Sequence, residues 1–232
     1  MHPAEQALVL MAKNERRLNE REWEHLLRQF PLCLQQKTMQ LHRWEDRQAS
    51  LFGKVLLLKG LASLREDPRL IHTMQWDQYK RPFVAGDLDF NIAHAGELVV
   101  CALLKGGRVG VDVEAVEPID IPDYKSVFTE QEYQSMIGAP RPLFAFYDFW
   151  TRKEALMKAD GRGFYLDPKS FDATPDQVHI AGQQWQIEKL ATLENYVCHL
   201  ALPSKKSIAL RFVSTEELKH GPNVQDSFFH HL

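Results

Sequence analysis

The segment Gly110-Val111-Asp112-Val113-Glu114 combines the apolar alternation of a β-strand with two carboxylates. In an extended strand, Asp112 and Glu114 point to one face and the two valines point to the other. Two like charges on one face repel each other. The pair therefore indicates either a solvated strand end or a site for a hard cation such as Mg²⁺ or Mn²⁺, which prefers carboxylate oxygens.

Two further segments accompany this strand. WTRKEALMKADGRGF (150–164) reads as the end of a helix on which Glu154 and Lys158 share a face, and Asp160-Gly161 supplies a left-handed stop. FNIAHA (90–95) ends a strand with His94 in a turn of small residues, where an imidazole can reach an anionic ligand. Taken alone, each segment is more typical of a purely structural role. The occurrence of all three in this order is a far more specific indication of a functional site.

The rest of the chain shows a helical first part, strands, helices again and strands at the end. The Val100–Leu103 and Val197–Leu200 segments, VCAL and VCHL, echo each other by chance or through an internal duplication. Hydrophobic spacing predicts helices over 4–29, 42–65 and 143–159, with a capping box that opens a short helix at Thr129, and strands over 89–92, 98–104, 108–116, 184–190, 194–202 and 207–213. The second and third strands are predicted to form an antiparallel hairpin through Gly106-Gly107.

Composition excludes several classes of protein. The 232 residues are 44% hydrophobic and 25% charged, which is typical of a globular domain and not of a disordered or collagenous chain. With 28 basic and 31 acidic residues, the net charge of −3 gives no bias toward nucleic acid. The sequence shows no signal peptide and no apolar run long enough for a membrane helix. Cys33, Cys101 and Cys198 lie in apolar contexts, which predicts buried reduced thiols and a cytoplasmic protein.

The three segments together resemble the 4'-phosphopantetheinyl transferase superfamily of the surfactin-synthetase-activating type, over about residues 30–170. In that family a GxDxE strand and a WxxKEAxxKxxGxG helix form the site, preceded by an N-I-S-H-S turn. Here Ala93 and Ala95 replace the two serines. The resemblance implies an α+β pseudo-dimer of two similar halves, each an antiparallel sheet with a long helix packed on it. We expect halves at 1–116 and 117–232, with the active site in the cleft between them.

The resemblance also implies roles for individual residues. Asp112, Glu114 and Glu154 match the ligands of a Mg²⁺ ion, with Mn²⁺ as an alternative. Lys158 and His94 match residues that contact the diphosphate of coenzyme A. Glu154 matches the residue that takes the proton of the acceptor serine, directly or through a metal-bound water. Arg81 stands where the family binds the adenosine 3'-phosphate, and Lys37 and Ser50 match further nucleotide contacts.

By this resemblance the chain is an enzyme of the holo-[acyl-carrier-protein] synthase type. It would move the 4'-phosphopantetheine group of coenzyme A to a serine of an apo acyl or peptidyl carrier protein, as a monomer without nucleic acid or membrane partners. Two alternatives remain open: a Mg²⁺-dependent phosphodiesterase or nuclease, and a non-catalytic module that binds coenzyme A or a carrier protein. Lys125, Lys153 and Arg162 are candidates to receive an acidic carrier, and Ser227–Leu232 could be a docked tail or a disordered end.

Overall fold

The computed structural model describes residues 6–220, which form two four-stranded sheets, a two-stranded ribbon and six α-helices. The elements of the first part are β1 (Gln6–Lys13), α1 (Glu20–Leu27), α2 (Leu32–Met39), α3 (Trp44–Ser63), β2 (Gln75–Trp76), β3 (Pro82–Phe83), β4 (Leu88–Ala95) and β5 (Leu98–Lys105). Those of the second part are β6 (Gly110–Ala115), α4 (Glu130–Ile137), α5 (Pro142–Asp160), β7 (Gln177–Ile180), β8 (Gln183–Lys189), β9 (Tyr196–Leu202), β10 (Ser207–Phe212) and α6 (Thr215–Lys219).

The first sheet has the strand order β10-β1-β5-β4, and α3 covers one of its faces. The central strand β5 is buried on both faces, which explains its unbroken apolar sequence. Val99, Cys101 and Leu103 belong to the core beneath α3. Val100 and Ala102 belong to a second core, which the first sheet shares with strands β6 and β9 of the other sheet. The two sheets therefore pack face to face around the middle of the molecule.

The second sheet has the order β6-β9-β8-β7 and carries α5 on its outer face. Leu156 of α5 packs there with Trp185 and Ala201 of the sheet. Gly110, the first residue of β6, allows close contact with α5. A Cβ atom at this position would overlap the carbonyl oxygen of Ala155 and the amide nitrogen of Ala159. The glycine of the GVDVE segment is thus required by the approach of helix and strand.

The predicted α+β fold of two similar units is confirmed. In each unit, a strand (β1 or β6) leads to a long helix (α3 or α5) and then pairs with the second strand of a hairpin (β5 or β9). The VCAL and VCHL segments lie on these equivalent strands, β5 and β9, so that Cys101 pairs with Leu10 and Cys198 pairs with Val113. The echo in the sequence corresponds to a repeat in the structure.

The sheets do not divide the chain at residue 116. Strand β6 pairs with β9 in the second sheet, and β10 returns to pair in parallel with β1 in the first. The prediction of a hairpin between β5 and β6 was wrong, because both edges of β5 are already paired, with β1 and with β4. After Gly106-Gly107 the chain therefore passes to the other sheet.

The amino-terminal prediction of one helical region over 4–29 was wrong as well. Residues 6–13 form β1, and α1 begins only at Glu20. The strand is buried on both faces, and a short strand of this kind cannot be distinguished from a buried helix by periodicity. The predicted long helices, the Thr129 capping box and the left-handed Gly161, with φ of 93°, are confirmed.

The three cysteines are free, but only Cys101 and Cys198 are buried. Cys33 is exposed on α2, so its predicted burial was wrong: its apolar neighbours Leu32 and Leu34 point in different directions, and only Leu34 enters the core. Among residues 6–220, no helix is both long and apolar enough to cross a membrane. The carboxyl-terminal segment Ser227–Leu232 lies outside the described residues.

Candidate active site

Strand β6 presents its two carboxylates to helix α5, while Val111 and Val113 enter the core between the sheets. The predicted alternation of this strand is therefore correct. Asp112 is buried, with 4% of its surface exposed, and Glu114 is half-buried. A solvated strand end would leave both side chains in water, so the burial favours a site over a surface pair.

Helix α5 supplies the groups that face these carboxylates. The Lys158 ammonium donates a hydrogen bond of 2.5 Å to Oδ1 of Asp112 and so joins the helix to the strand. Glu154 lies one turn earlier on the same helix and is half-buried. Burial acts to lower the pKa of Lys158, but the attraction of Asp112, Glu154 and Glu114 outweighs it and raises that pKa. Lys158 is therefore positively charged in this site.

The carboxylates bear more negative charge than Lys158 neutralises. Burial, together with repulsion from Asp112, raises the pKa of Glu114 to about 7 and that of Glu154 to about 7. Burial also raises the pKa of Asp112, although Lys158 opposes the shift. Strongly shifted pKa values of this kind cluster at functional sites.

The donor set fits a hard divalent cation. All three side chains offer carboxylate oxygens, and Oδ2 of Asp112 is buried without a hydrogen-bond partner in the described structure. A cation beside it would supply that partner and relieve the repulsion among the three acids. Within residues 6–220, no three Asp, Glu, His or Cys side chains already stand at the spacing of ligands around one ion. The acids are therefore close enough to repel one another but do not form a closed set of ligands.

His94 reaches the same site from the first sheet. Two side chains of β4 bind the backbone of the β6 region: Asp89 Oδ2 accepts from the Val109 amide at 2.8 Å, and Asn91 Oδ1 accepts from the Val111 amide at 2.9 Å. These bonds hold the first half of β4, which leads to His94, beside the GVDVE strand. Desolvation of the imidazole lowers the pKa of His94; Asp46 opposes this effect, and Lys158 and Lys54 add to it. The imidazole thus lies within electrostatic range of Lys158.

Arg81 does not lie free to bind a phosphate. Its guanidinium makes two hydrogen bonds of 2.7 Å to the carboxylate of Asp89 and further bonds to the carbonyl oxygens of Lys158 and Val109. Only 8% of the residue is exposed. In this structure Arg81 holds the end of α5 against β4 and the chain before β6, and its contact with an adenosine 3'-phosphate stays a prediction.

Lys153, a candidate in the sequence for contact with an acidic carrier, is buried. It is 1% exposed, pairs with the fully buried Glu132 at 2.9 Å and donates to the carbonyl oxygens of Pro168 and Phe171. The lysine of the KEA segment therefore joins α4, α5 and the following loop and cannot meet a partner protein. Arg162 pairs with Asp160 and remains partly exposed, and Lys125 is exposed.

Lys37 lies on α2 beside Trp76 of β2, and Ser50 lies on α3. The Lys37 ammonium sits 3.1 Å from the centre of the Trp76 ring, and Ser50 Oγ accepts a 2.6 Å hydrogen bond from the Lys54 ammonium. Lys54 was missed in the sequence. Its spacing of one helical turn from Ser50 was the available signal, but it belongs to none of the three segments.

Comparison with known proteins gives a consistent result. A model of the 4'-phosphopantetheinyl transferase superfamily matches residues 108–207, which include β6 and α5. The chain is 35% identical over 129 residues to 4'-phosphopantetheinyl transferase gsp of Aneurinibacillus migulanus, which covers 55% of this chain and 54% of that protein. It is 26% identical over 173 residues to 4'-phosphopantetheinyl transferase Sfp of Bacillus subtilis, with coverage of 73% and 75%. It is 39% identical over 155 residues to 4'-phosphopantetheinyl transferase AcpT of Salmonella typhi, with coverage of 62% and 74%. The chain thus spans about half the length of gsp and about three quarters of the other two.

Proposed function

The chain belongs to the 4'-phosphopantetheinyl transferase superfamily, and from this premise we propose that it transfers the 4'-phosphopantetheine group of coenzyme A to a serine of an apo acyl or peptidyl carrier protein. The products are holo carrier protein and adenosine 3',5'-bisphosphate. One observation carries the proposal: two acids of β6, Asp112 and Glu114, interact with Glu154 and Lys158 of α5.

Asp112, Glu114 and Glu154 would hold a Mg²⁺ ion, or Mn²⁺ in its place, next to the diphosphate of coenzyme A. When bound, this cation supplies Lewis-acid polarisation of the diphosphate oxygens. The buried, unpartnered Oδ2 of Asp112 and the mutual repulsion of the acids support this assignment. Lys158 remains beside Asp112 as a fixed positive charge.

The reaction is a displacement at the phosphorus atom that stays with pantetheine. The serine Oγ forms the new P–O bond, and the bond to the nucleotide phosphate breaks, so that negative charge grows on the leaving phosphate. Lys158 and His94 would donate hydrogen bonds to the oxygens of the diphosphate. Glu154 accepts the serine proton, either directly or through an intervening water.

We further propose that the enzyme acts as a cytoplasmic monomer. Its three cysteines are free, which agrees with a reducing compartment. Lys125 is exposed and Arg162 is partly exposed, so both remain candidates for contact with an acidic carrier protein. Lys153 is buried and is no longer a candidate.

Mass spectrometry of apo carrier proteins tests the transfer. We expect a carrier incubated with coenzyme A, Mg²⁺ and this protein to gain the mass of one 4'-phosphopantetheine group, and we expect no gain when a chelator is added. Consumption of coenzyme A without a carrier would indicate a phosphodiesterase instead. Binding of coenzyme A with no product from any of several carriers would indicate a binding module.

A further inference from the structure

The imidazole of His94 has no hydrogen-bond partner among residues 6–220. Alanines at 93 and 95 also leave this turn without a hydroxyl group of its own. The direction in which the imidazole points therefore depends on the backbone that carries it. A histidine that would bind the diphosphate has to be held at a fixed distance from Lys158 and the carboxylates, because small displacements of a positioned group cost activity.

Strand β4 is attached by its side chains to the β6 region along its first half only. Asp89 and Asn91 bond to the amides of Val109 and Val111. In the described part of the chain, no side chain of β4 after Asn91 forms a hydrogen bond to β6. The last residues of β4, which include His94, thus need a separate connection to the second sheet.

The turn between β4 and β5 makes this connection through Tyr196 of β9. The Glu97 amide donates a hydrogen bond of 2.9 Å to the Tyr196 hydroxyl. Gly96 lies against the same hydroxyl: its φ is 49°, and a Cβ atom there would come within 2.6 Å of the hydroxyl oxygen and 3.7 Å of the Cβ of Ala115. On the side of the first sheet, the amide of Asn14, which follows β1, donates to the Glu97 carbonyl oxygen at 2.6 Å. The turn is therefore bonded to both sheets.

Tyr196 itself is fixed to the strand that carries the carboxylates. It pairs with Ala115, the residue after Glu114, in the antiparallel ladder of β6 and β9. The Val116 amide donates to the Asn195 carbonyl oxygen at 2.8 Å and closes this end of the ladder. The half-buried tyrosine ring packs against the core that the two sheets share. Its hydroxyl group is thus held at a defined place relative to Glu114.

The bond between Glu97 and Tyr196 is not needed to satisfy the amide. Glu97 is exposed, so water could accept its hydrogen bond at little cost. What a tyrosine adds over water is a fixed position, because its ring is anchored in the core. His94 lies just before this turn, near the end of β4. The tyrosine therefore fixes the backbone next to the imidazole.

We infer that Tyr196 is a positioning residue for His94. It holds the β4–β5 turn against the end of β6 and so sets the place of the imidazole relative to Glu114 and Lys158. Tyr196 acts through His94 and does not contact the ligand. The inference rests on the proposed function, in which His94 would donate to the diphosphate of coenzyme A.

A double-mutant cycle between the two residues tests this inference in the full chain. Tyr196→Phe removes the hydroxyl and keeps the ring, His94→Ala removes the imidazole, and the double variant combines them. Tyr147→Phe is the matched control, because it also removes a tyrosine hydroxyl bonded to the backbone, here at the Glu117 carbonyl oxygen, and leaves the β4–β5 turn intact. Transfer kinetics give kcat/KM, calorimetry gives the dissociation constant for coenzyme A without a carrier, and NMR gives the exchange rate of the Glu97 amide.

We expect Tyr196→Phe to lower kcat/KM about fivefold and to weaken the binding of coenzyme A by a similar factor, the effect of one neutral hydrogen bond. In the His94→Ala background the same substitution should change neither quantity, because no imidazole is left to position. The Glu97 amide should exchange faster with solvent in Tyr196→Phe, whereas Tyr147→Phe should match the parent protein in all three measurements. Equal effects with and without His94, or no effect on transfer and binding in either background, would overturn the inference, as would an unchanged exchange rate.

The two proposals fail in different ways. A parent protein that binds coenzyme A but modifies no carrier contradicts the transfer, while the cycle measured by calorimetry still decides the role of Tyr196. A parent protein that modifies carriers without coupling between Tyr196 and His94 contradicts the role of Tyr196 alone. A parent protein that binds no coenzyme A contradicts both.

Discussion

Asp112 is the most buried of the three candidate carboxylates. Its replacement should therefore affect transfer activity and stability in opposite ways. Asp112→Asn keeps the shape of the side chain but removes a negative charge that is unfavourable in its buried position. We expect transfer to fall by about a hundredfold or more while the melting temperature stays equal or rises. Carrier modification and thermal unfolding measure the two effects. The exposed Asp123→Asn is the control, and a collapse of stability in Asp112→Asn would contradict this account.

Arg81 and Asp89 form a two-bond ion pair that is almost inaccessible to solvent. Arg81→Met leaves the Asp89 carboxylate without its partner, so we expect a loss of about 3 to 5 kcal/mol in the free energy of unfolding. Urea denaturation measures it. Because the cost comes from the charge left behind, the double variant with Asp89→Asn should lose less than the sum of the single variants. An additive result would show that the two residues act independently.

His199 makes the stability dependent on pH. Strand β9 places it opposite Asp112, and its Nδ1 lies 2.7 Å from Thr151 Oγ1 of α5. Burial lowers the pKa of His199 from 6.5 to about 4. Between pH 6.5 and pH 4 the unfolded chain binds a proton at His199 that the folded chain does not. The stability that comes from a neutral, buried His199 is therefore fully present above pH 6.5 and is lost as the pH falls toward 4. We expect the parent protein to lose about 2 kcal/mol more than His199→Gln between pH 8 and pH 5. Equal pH dependence of the two proteins in urea denaturation would contradict the shift.

At the scale of elements, the contact between β6 and α5 brings the carboxylates to Glu154 and Lys158. Gly110→Ala adds a methyl group where the helix backbone already lies, so α5 must move away from the strand. We expect a loss of about 1 to 3 kcal/mol in stability and a disproportionate loss of transfer, because the helix carries two site residues. Gly138→Ala at the end of α4 is the control. An unchanged kcat in Gly110→Ala would contradict this prediction, because it would show that transfer tolerates a wider spacing between β6 and α5.

At the scale of the molecule, the proposed site draws on both sheets. His94 comes from the first sheet, Asp112 comes from the second, and α5 supplies the remaining groups. A ligand that contacts groups from both sheets binds only when the two sheets are packed together, so it stabilises that folded state. We therefore expect Mg²⁺ and coenzyme A together to raise the melting temperature by more than the sum of their separate effects. Thermal unfolding with each ligand, both and neither measures this, and simple additivity would argue against a shared site.

The sequence by itself determined the mixture of helices and strands, the two long helices, the alternation of the GVDVE strand and the three segments that carry the candidate site. These features follow from local periodicity and from residue types, which a linear chain displays directly. Only the tertiary structure decided that β6 pairs with β9, that β10 returns to β1, and that Arg81 and Lys153 are buried in ion pairs. Strand pairing and the partner of a charge depend on residues far apart in the chain, and local pattern carries no information about which distant group will be near.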